Sequence, residues 1–187
     1  MEIYKNEDIK IIKLNAATME MGHLYRMVCI ERECELASYP VETLMEHVEQ
    51  YDTYACLLHD LLVGFITLNP DSRLLDGSLH IKNLNIDKSH KRKGIATQLI
   101  LRTCRCYAGT HADRNVTVGL ELPNEAALAL FKSLGFEEHN DPVAMGLCTS
   151  FKIDQFGDLQ LVCDEDVIGL VAPLSVLLDR IDEQEIR

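Results

Sequence analysis

Between residues 78 and 135 the hydrophobic pattern switches from strand spacing to helix spacing, back, and again, and this restricts the fold more than any other feature of the chain. "SLHIKNLNID" alternates Leu79 and Ile81 with polar neighbours, then shifts parity to Leu84 and Ile86. Alternation predicts a strand over residues 78–87, and the parity shift predicts a β-bulge within it. "TQLILRTCRCYAG" follows as a helix ending near Gly109. "NVTVGLEL" reads as a buried strand over 115–122, and "NEAALALFKSLGF" as a helix from Asn124 to Gly135. Strand, helix, strand in this order calls for a right-handed crossover that sets the two strands parallel in a mixed sheet.

The flanks fit around that unit. "IKIIKLN" predicts a strand over 9–15, and Met21, Leu24 and Val28, widened by Cys29 and Ile30, predict a helix over 18–36. Pro40 interrupts, and "VETLMEHVEQ" is a second, shorter helix. "TYACLLHDLLVGFITLNP" reads as a hairpin around His59-Asp60, and residues 70–77 as a polar loop. "VAMGLCTSF" and "DLQLVCD" predict later strands, and "VIGLVAPLSVLLDRIDEQEI" a closing amphipathic helix disturbed by Pro173. The expectation is a mixed α/β (α+β) domain, with a core over residues 1–150 and a strand-and-helix extension over 151–187 in the same domain. With 47% hydrophobic residues in 187, the chain can fill such a core.

Between the first strand and its helix stand His90, Lys91, Arg92 and Lys93, followed by Gly94, in a chain of net charge -12. The first turn of a helix presents unpaired N–H groups and the positive end of its dipole, a natural site for phosphate. Gly94 permits close backbone approach and Ala96 does not block it. The cations then assist, or simply face water. GxxxxGK[ST] and GxGxxG are both absent, so neither a Walker loop nor a Rossmann site is supported. The negative charge argues against nonspecific nucleic-acid or anionic-membrane binding. Seven cysteines without CxxC spacing predict buried thiols in a reducing, cytoplasmic compartment, with no metal site. No apolar run of membrane-spanning length and no signal-peptide pattern is expected from the sequence.

"LNIDKSHKRKGIATQLI" resembles the acyl-coenzyme A binding segment of the GNAT family of N-acetyltransferases, and "NEAALALFKSLGF" resembles that family's second signature. The first signature is Arg or Gln, two residues, Gly, one residue, then Gly or Ala; here Lys91, Gly94 and Ala96 hold those places. Lys91 departs from the pattern at a position where most contacts to pyrophosphate come from backbone N–H groups. The resemblance spans residues 9–147. It implies a three-layer fold in which helices flank a splayed, mostly antiparallel central sheet. It implies acetyl-CoA as acyl donor, with its pyrophosphate on Lys91, Arg92, Lys93, Gly94, Ile95, Ala96 and Thr97. The pantetheine arm would lie between the splayed strands against backbone groups of Leu84, Asn85 and Ile86. Asn124 would cap its helix, contact the coenzyme, or both.

The implied activity is transfer of an acetyl group to a primary amine, on a small metabolite or a peptide, by direct attack. The alternative is a catalytically inactive acyl-CoA sensor or regulatory protein. Two familiar proton-transfer residues are missing. Phe131, counted among the coenzyme contacts, stands where many relatives carry an acidic tyrosine, and Gly119 stands where one branch carries a glutamate base. Glu121, two residues on and on the same strand face, is the first candidate base, and His80 the second. Tyr54 and Tyr107 are donors elsewhere. Glu31, Glu33, Glu35 and Glu42 on the early helices attract a cationic acceptor or form a solvated face. The apolar C-terminal segment allows a homodimer.

Overall fold

The computed structural model describes residues 2–5, 9–33, 40–72, 75, 77–111, 113–141, 143–153, 159–163 and 166–185. In chain order the elements are β1 (Glu2–Lys5), β2 (Ile9–Leu14), α1 (Met21–Glu33), α2 (Val41–Gln50), β3 (Asp52–Leu58), β4 (Leu61–Asn69) and β5 (Leu79–Ile86). A short 3-10 turn, Lys88–His90, leads to α3 (Ile95–Arg105), α4 (Ala108–His111), β6 (Asn115–Glu121), α5 (Glu125–Ser133) and β7 (Glu137–Glu138). The chain continues through β8 (Cys148–Ile153), β9 (Leu159–Cys163), β10 (Val167–Pro173) and α6 (Leu174–Glu185).

Eight strands form one sheet in the order β1-β2-β3-β4-β5-β6-β10-β7, while β8 and β9 pair as a separate ribbon. Each neighbouring pair in the large sheet is antiparallel except β5 and β6, which are parallel as the crossover requires. The β3–β4 hairpin turns on His59 and Asp60, both at positive φ (49° and 64°), the backbone of a tight two-residue turn. Helices cover both faces. Ile66, Leu68, Ile81 and Leu170 of the sheet pack with Leu99 and Ile100 of α3, Phe131 of α5 and Leu177 of α6. On the other face, Leu62 and Phe65 pack with Leu24, Met27 and Ile30 of α1 and with Leu44 and Val48 of α2. The result is the mixed three-layer arrangement expected.

Two details of β5 set up the site. Ile81 pairs with Leu68 but Asn83 pairs with the adjacent Thr67, so Lys82 is an extra residue on β5. That bulge is the parity shift seen in the sequence: Leu79 and Ile81 lie on the α3 face before it and Leu84 after it. Pairing between β5 and β6 is confined to Leu79–Ile81 against Val116–Val118. Both strands run on past that point without a register between them, so they splay.

Some boundaries move. The first helix begins at Met21, because Asn15 and Thr18 form a side-chain-bonded turn just before it (Ala17 N to Asn15 Oδ1, 2.9 Å). Its expected end at Leu36 falls outside the described residues. Residues 143–146 are a turn, not a strand, since Asp141 Oδ1 accepts from Val143 N (2.9 Å) and Ala144 N (3.0 Å) and Gly146 has φ 66°. The expected closing helix starts late. Residues 167–173 form β10, inserted between β6 and β7, with Leu170 and Ala172 fully buried. Only from Leu174 does the chain turn helical, directly after Pro173, whose missing N–H costs nothing at a helix start. The expected division after residue 150 falls inside β8, and the C-terminal segment shares the main sheet. β1 was not expected from the sequence.

Candidate active site

α3 begins at Gly94, whose φ of 77° is a left-handed conformation that side chains rarely adopt. Gly94 offers no side-chain cap to the first turn, and nothing lies within 4 Å of where its Cβ would be. The first turn of α3 therefore has no side-chain acceptor at its cap position. Lys91, Arg92 and Lys93 are exposed around them, with Arg92 also at positive φ (62°). Ile95 is buried in the core while Ala96 and Thr97 are partly exposed at the same turn. The start of α5 is the opposite case: Asn124 Oδ1 accepts from Ala127 N at 3.1 Å and closes it.

The cationic loop is anchored from behind by Asp87. Its Oδ1 accepts from Ser89 N (2.9 Å) and from His90 Nδ1 (3.1 Å), and its Oδ2 pairs with Arg26 of α1. Burial works to raise the Asp87 carboxyl, but the hydrogen bonds from Ser89, His90 and Arg26 outweigh it and hold the group well below the usual carboxylate range. Arg26 Nε also donates to Leu62 O at 3.3 Å, which ties α1 to the start of β4 beside the loop. An open depression of about 340 Å3 lies here, lined by Glu33, Asp87, Lys88 and Ser89.

Beyond the splay point, β5 and β6 put different chemistry on the α1 face. On β5, Leu84 and Ile86 pack toward the core on the α3 face, and Asn83 and Asn85 point toward α1. There Glu31, only 1% exposed, accepts from Asn83 Nδ2 and Asn85 Nδ2, each at 2.6 Å. Glu31 is therefore no part of a solvated face, unlike the exposed Glu33 and Glu42; Glu35 lies outside the described residues. The sequence pointed to Glu31 only as one acid among several. Its spacing of four from Met27 and three from Val28 places it on the inner flank of α1, which was the available signal.

On β6, Gly119 and Glu121 are exposed. A side chain begun at Gly119 would meet Leu147 Cδ2 at 3.5 Å and Val167 Cγ1 at 3.7 Å. Apolar groups thus border the place where a glutamate base was looked for. Directly opposite Gly119 is Gly169 of β10, where a Cβ would come within 2.7 Å of Met145 Cγ. The 143–147 turn closes over this glycine pair.

The remaining candidates are spread out. His80 sits at the paired base of the cleft with Nδ1 3.1 Å from Thr117 Oγ1, which itself bonds Ser78 Oγ at 2.9 Å. Burial, helped by the charge of Lys82, pushes the His80 imidazole down to about 4, a poor acceptor for an ammonium proton. Phe131 is 2% exposed and stacks edge-on with Phe136 at 5.0 Å, a core contact. Tyr54 and Tyr107 lie beyond the far end of α3, where Tyr107 donates to Asp52. Burial raises both phenols, and for Tyr107 the bond to Asp52 adds to it.

The Acetyltransferase (GNAT) family model matches residues 23–136. No curated protein matches the sequence. Among solved structures, the Escherichia coli ribosomal-protein-S18-alanine N-acetyltransferase superposes with a TM-score of 0.62 at 18% identity, over 89% of this chain and 94% of that one. A spermidine N-acetyltransferase SpeG mutant from Vibrio cholerae gives 0.61 at 18% identity, over 94% and 99%. The PaiA N-acetyltransferase of Thermoplasma acidophilum, in complex with coenzyme A, gives 0.62 at 14% identity, over 88% and 98%. At such identities the likeness is one of fold.

Proposed function

Because the chain belongs to the GNAT acetyltransferase family, we propose that it transfers an acetyl group from acetyl-CoA to a primary amine by direct attack. Members of this family use acetyl-CoA, and the residues present fit it. The observation that carries the reading is the contrast between two helix starts: α5 is capped by its own Asn124, while α3 opens uncapped at Gly94 beside three exposed cations. A pyrophosphate supplies the acceptor oxygens that such a start lacks. Backbone N–H groups over residues 94–97 would hold it, with Lys91, Arg92 and Lys93 adding charge.

The coenzyme supplies an acetyl thioester and, with it, a leaving group of moderate basicity. This chain's part is to bind, orient and manage protons. The β5 edge beyond the bulge, at Leu84, Asn85 and Ile86, lies where β6 has turned away and can pair with an extended ligand as an added strand would. The acceptor enters from the α1–α2 face, between β5 and β6. Its ammonium must lose a proton before the nitrogen attacks. Glu121, exposed at the end of β6, faces the mouth of that cleft and acts as base there, directly or through water. No cysteine nucleophile is required, and positioning accounts for much of the rate.

A sensor that binds acyl-CoA without turnover is favoured by one observation, the apolar surroundings of Gly119 together with the buried Phe131. Incubation with acetyl-CoA and a panel of amines, followed by measurement of released thiol, separates the two. Amine-dependent release supports the enzyme. Tight coenzyme binding with no release across the panel supports the sensor.

A further inference from the structure

β5 ends where the cationic loop begins, and one buried carboxylate joins the two. Asp87 follows directly on Ile86, the last residue of β5, and its own N–H donates to Val63 O of β4 at 2.9 Å. The sheet therefore fixes its main chain. Its two carboxylate oxygens serve different neighbours. Oδ2 pairs with Arg26 of α1. Oδ1 accepts only from the chain ahead: the Ser89 N–H (2.9 Å), the Ser89 hydroxyl and His90 Nδ1 (3.1 Å). The Asp87 carbonyl accepts from His90 N at 2.8 Å as well, which closes the Lys88–His90 turn.

The loop beyond that turn needs support of this kind. Arg92 has φ 62° and Gly94 φ 77°, so two of three consecutive residues are left-handed. Glycine takes that backbone freely, but a residue with a Cβ holds it only where its surroundings enforce it. Lys91, Arg92 and Lys93 are all exposed and repel one another across the same few residues.

We propose that Asp87 is the positioning residue of the coenzyme site: through Oδ1 it holds the root of the loop, so that residues 91–97 are set for the pyrophosphate before it binds. This deepens the coenzyme reading and rests on it. Asp87 acts through the loop and not on the ligand, since a carboxylate placed against a pyrophosphate would repel it. Its charge is taken up by Arg26 behind and by the turn in front. A loop already held in its bound shape spares the ligand the entropy of ordering it. The division of labour between Oδ1 and Oδ2 lets the loop side and the α1 side be tested apart.

Calorimetric titration with coenzyme A, alongside urea unfolding of each variant, makes the test. Asp87→Ala removes both sides and is expected to raise Kd about a hundredfold, the scale of losing hydrogen bonds to a charged group. Asp87→Asn keeps an acceptor for the Ser89 N–H and should recover about tenfold of that loss. The decisive pair splits the two oxygens. His90→Leu removes a loop-side bond and leaves Arg26 in place, and Kd should rise about tenfold. Arg26→Gln loosens the α1 side and lowers the urea midpoint, while Kd stays within about threefold of wild type. If Asp87 only ties α1 to the sheet, the order reverses: Arg26→Gln weakens binding as much as Asp87→Ala, and His90→Leu leaves it alone. That result overturns the proposal, and so do equal losses from His90→Leu and Arg26→Gln or an unchanged Kd in Asp87→Ala. Should Asp87→Ala not fold, His90→Leu and Arg26→Gln decide between themselves. A wild type that binds coenzyme A no more tightly than His90→Leu removes the role of Asp87 alone. A wild type that does not bind it fells the coenzyme reading and this one with it.

Discussion

Gly94, at the start of α3, and His80, near the start of β5, make opposite demands on a substitution. At Gly94 the backbone is left-handed and the space in front is open, so a side chain there is strained and intrudes only on what comes to bind. Gly94→Trp is expected to weaken coenzyme A binding at least about a hundredfold, on the scale of losing several charge-assisted hydrogen bonds, as read by calorimetric titration. Unchanged affinity would remove the phosphates from this helix start. His80 is held neutral by burial, down to about 4 from its ordinary 6.5. In that window the unfolded chain binds a proton that the folded chain does not, so stability falls as pH drops from 6.5 toward 4. His80→Gln, which can keep a bond to Thr117, should remove on the order of 2 kcal/mol of that decline, measured by urea unfolding across the range. At this scale the two helix starts were legible in the sequence because they rest on backbone freedom and local spacing: Gly94 at the start of α3 and Asn124 at the start of α5 act within a few residues of themselves. Glu31 was not, because its meaning comes from Asn83 and Asn85, more than fifty positions away along the chain.

Elements tell a similar story of what local pattern can carry. The β5 bulge was legible because side chains alternate with a period of two, so one extra residue, Lys82, flips every position after it. β10 was misread as helix because "VIGLVAP" is short, apolar on both faces and runs into helical spacing; only its insertion between β6 and β7 makes it a strand. That insertion explains its glycine. Gly169 faces Gly119, and Met145 fills the space above it. Gly169→Val would drive its side chain into Met145, with contacts under 3.0 Å to both Cγ and Cε. The expected loss is about 1–3 kcal/mol, seen as a lowered urea midpoint. Because the same turn carries Leu147 to the edge of Gly119, amine KM should shift while coenzyme affinity holds. At the start of α5 the expectation is purely structural: Asn124→Ala leaves Ala127 N without its cap and costs about 1 kcal/mol, measured in the same way.

For the molecule as a whole, the question is whether the C-terminal segment is an appendage or part of the framework. β10 pairs with β6 along its whole length, from Val167 opposite Glu121 to Pro173 opposite Asn115, and among the described residues β7 is attached to the sheet only through β10. α6 then returns across the α3 face, where Leu174, Leu177 and Ile181 are buried in the same core as Leu99, Ile100 and Phe131. Leu174 N also bonds Arg114 O at 2.9 Å, which fixes the entry to β6. Removing residues 167–187 would therefore bare one edge of β6, release β7 and expose the packing surface of α3, the helix whose start is the proposed anion cradle. Burial on that scale amounts to many buried apolar side chains at roughly 1.5–3 kcal/mol each, against a total domain stability of only about 5–15 kcal/mol. A chain ending at Asp166 is expected to lose its cooperative thermal transition by circular dichroism and to bind no coenzyme A. If it instead melts cooperatively and keeps its affinity, the sheet is completed without β10 and the C-terminal segment is an addition to a self-sufficient core.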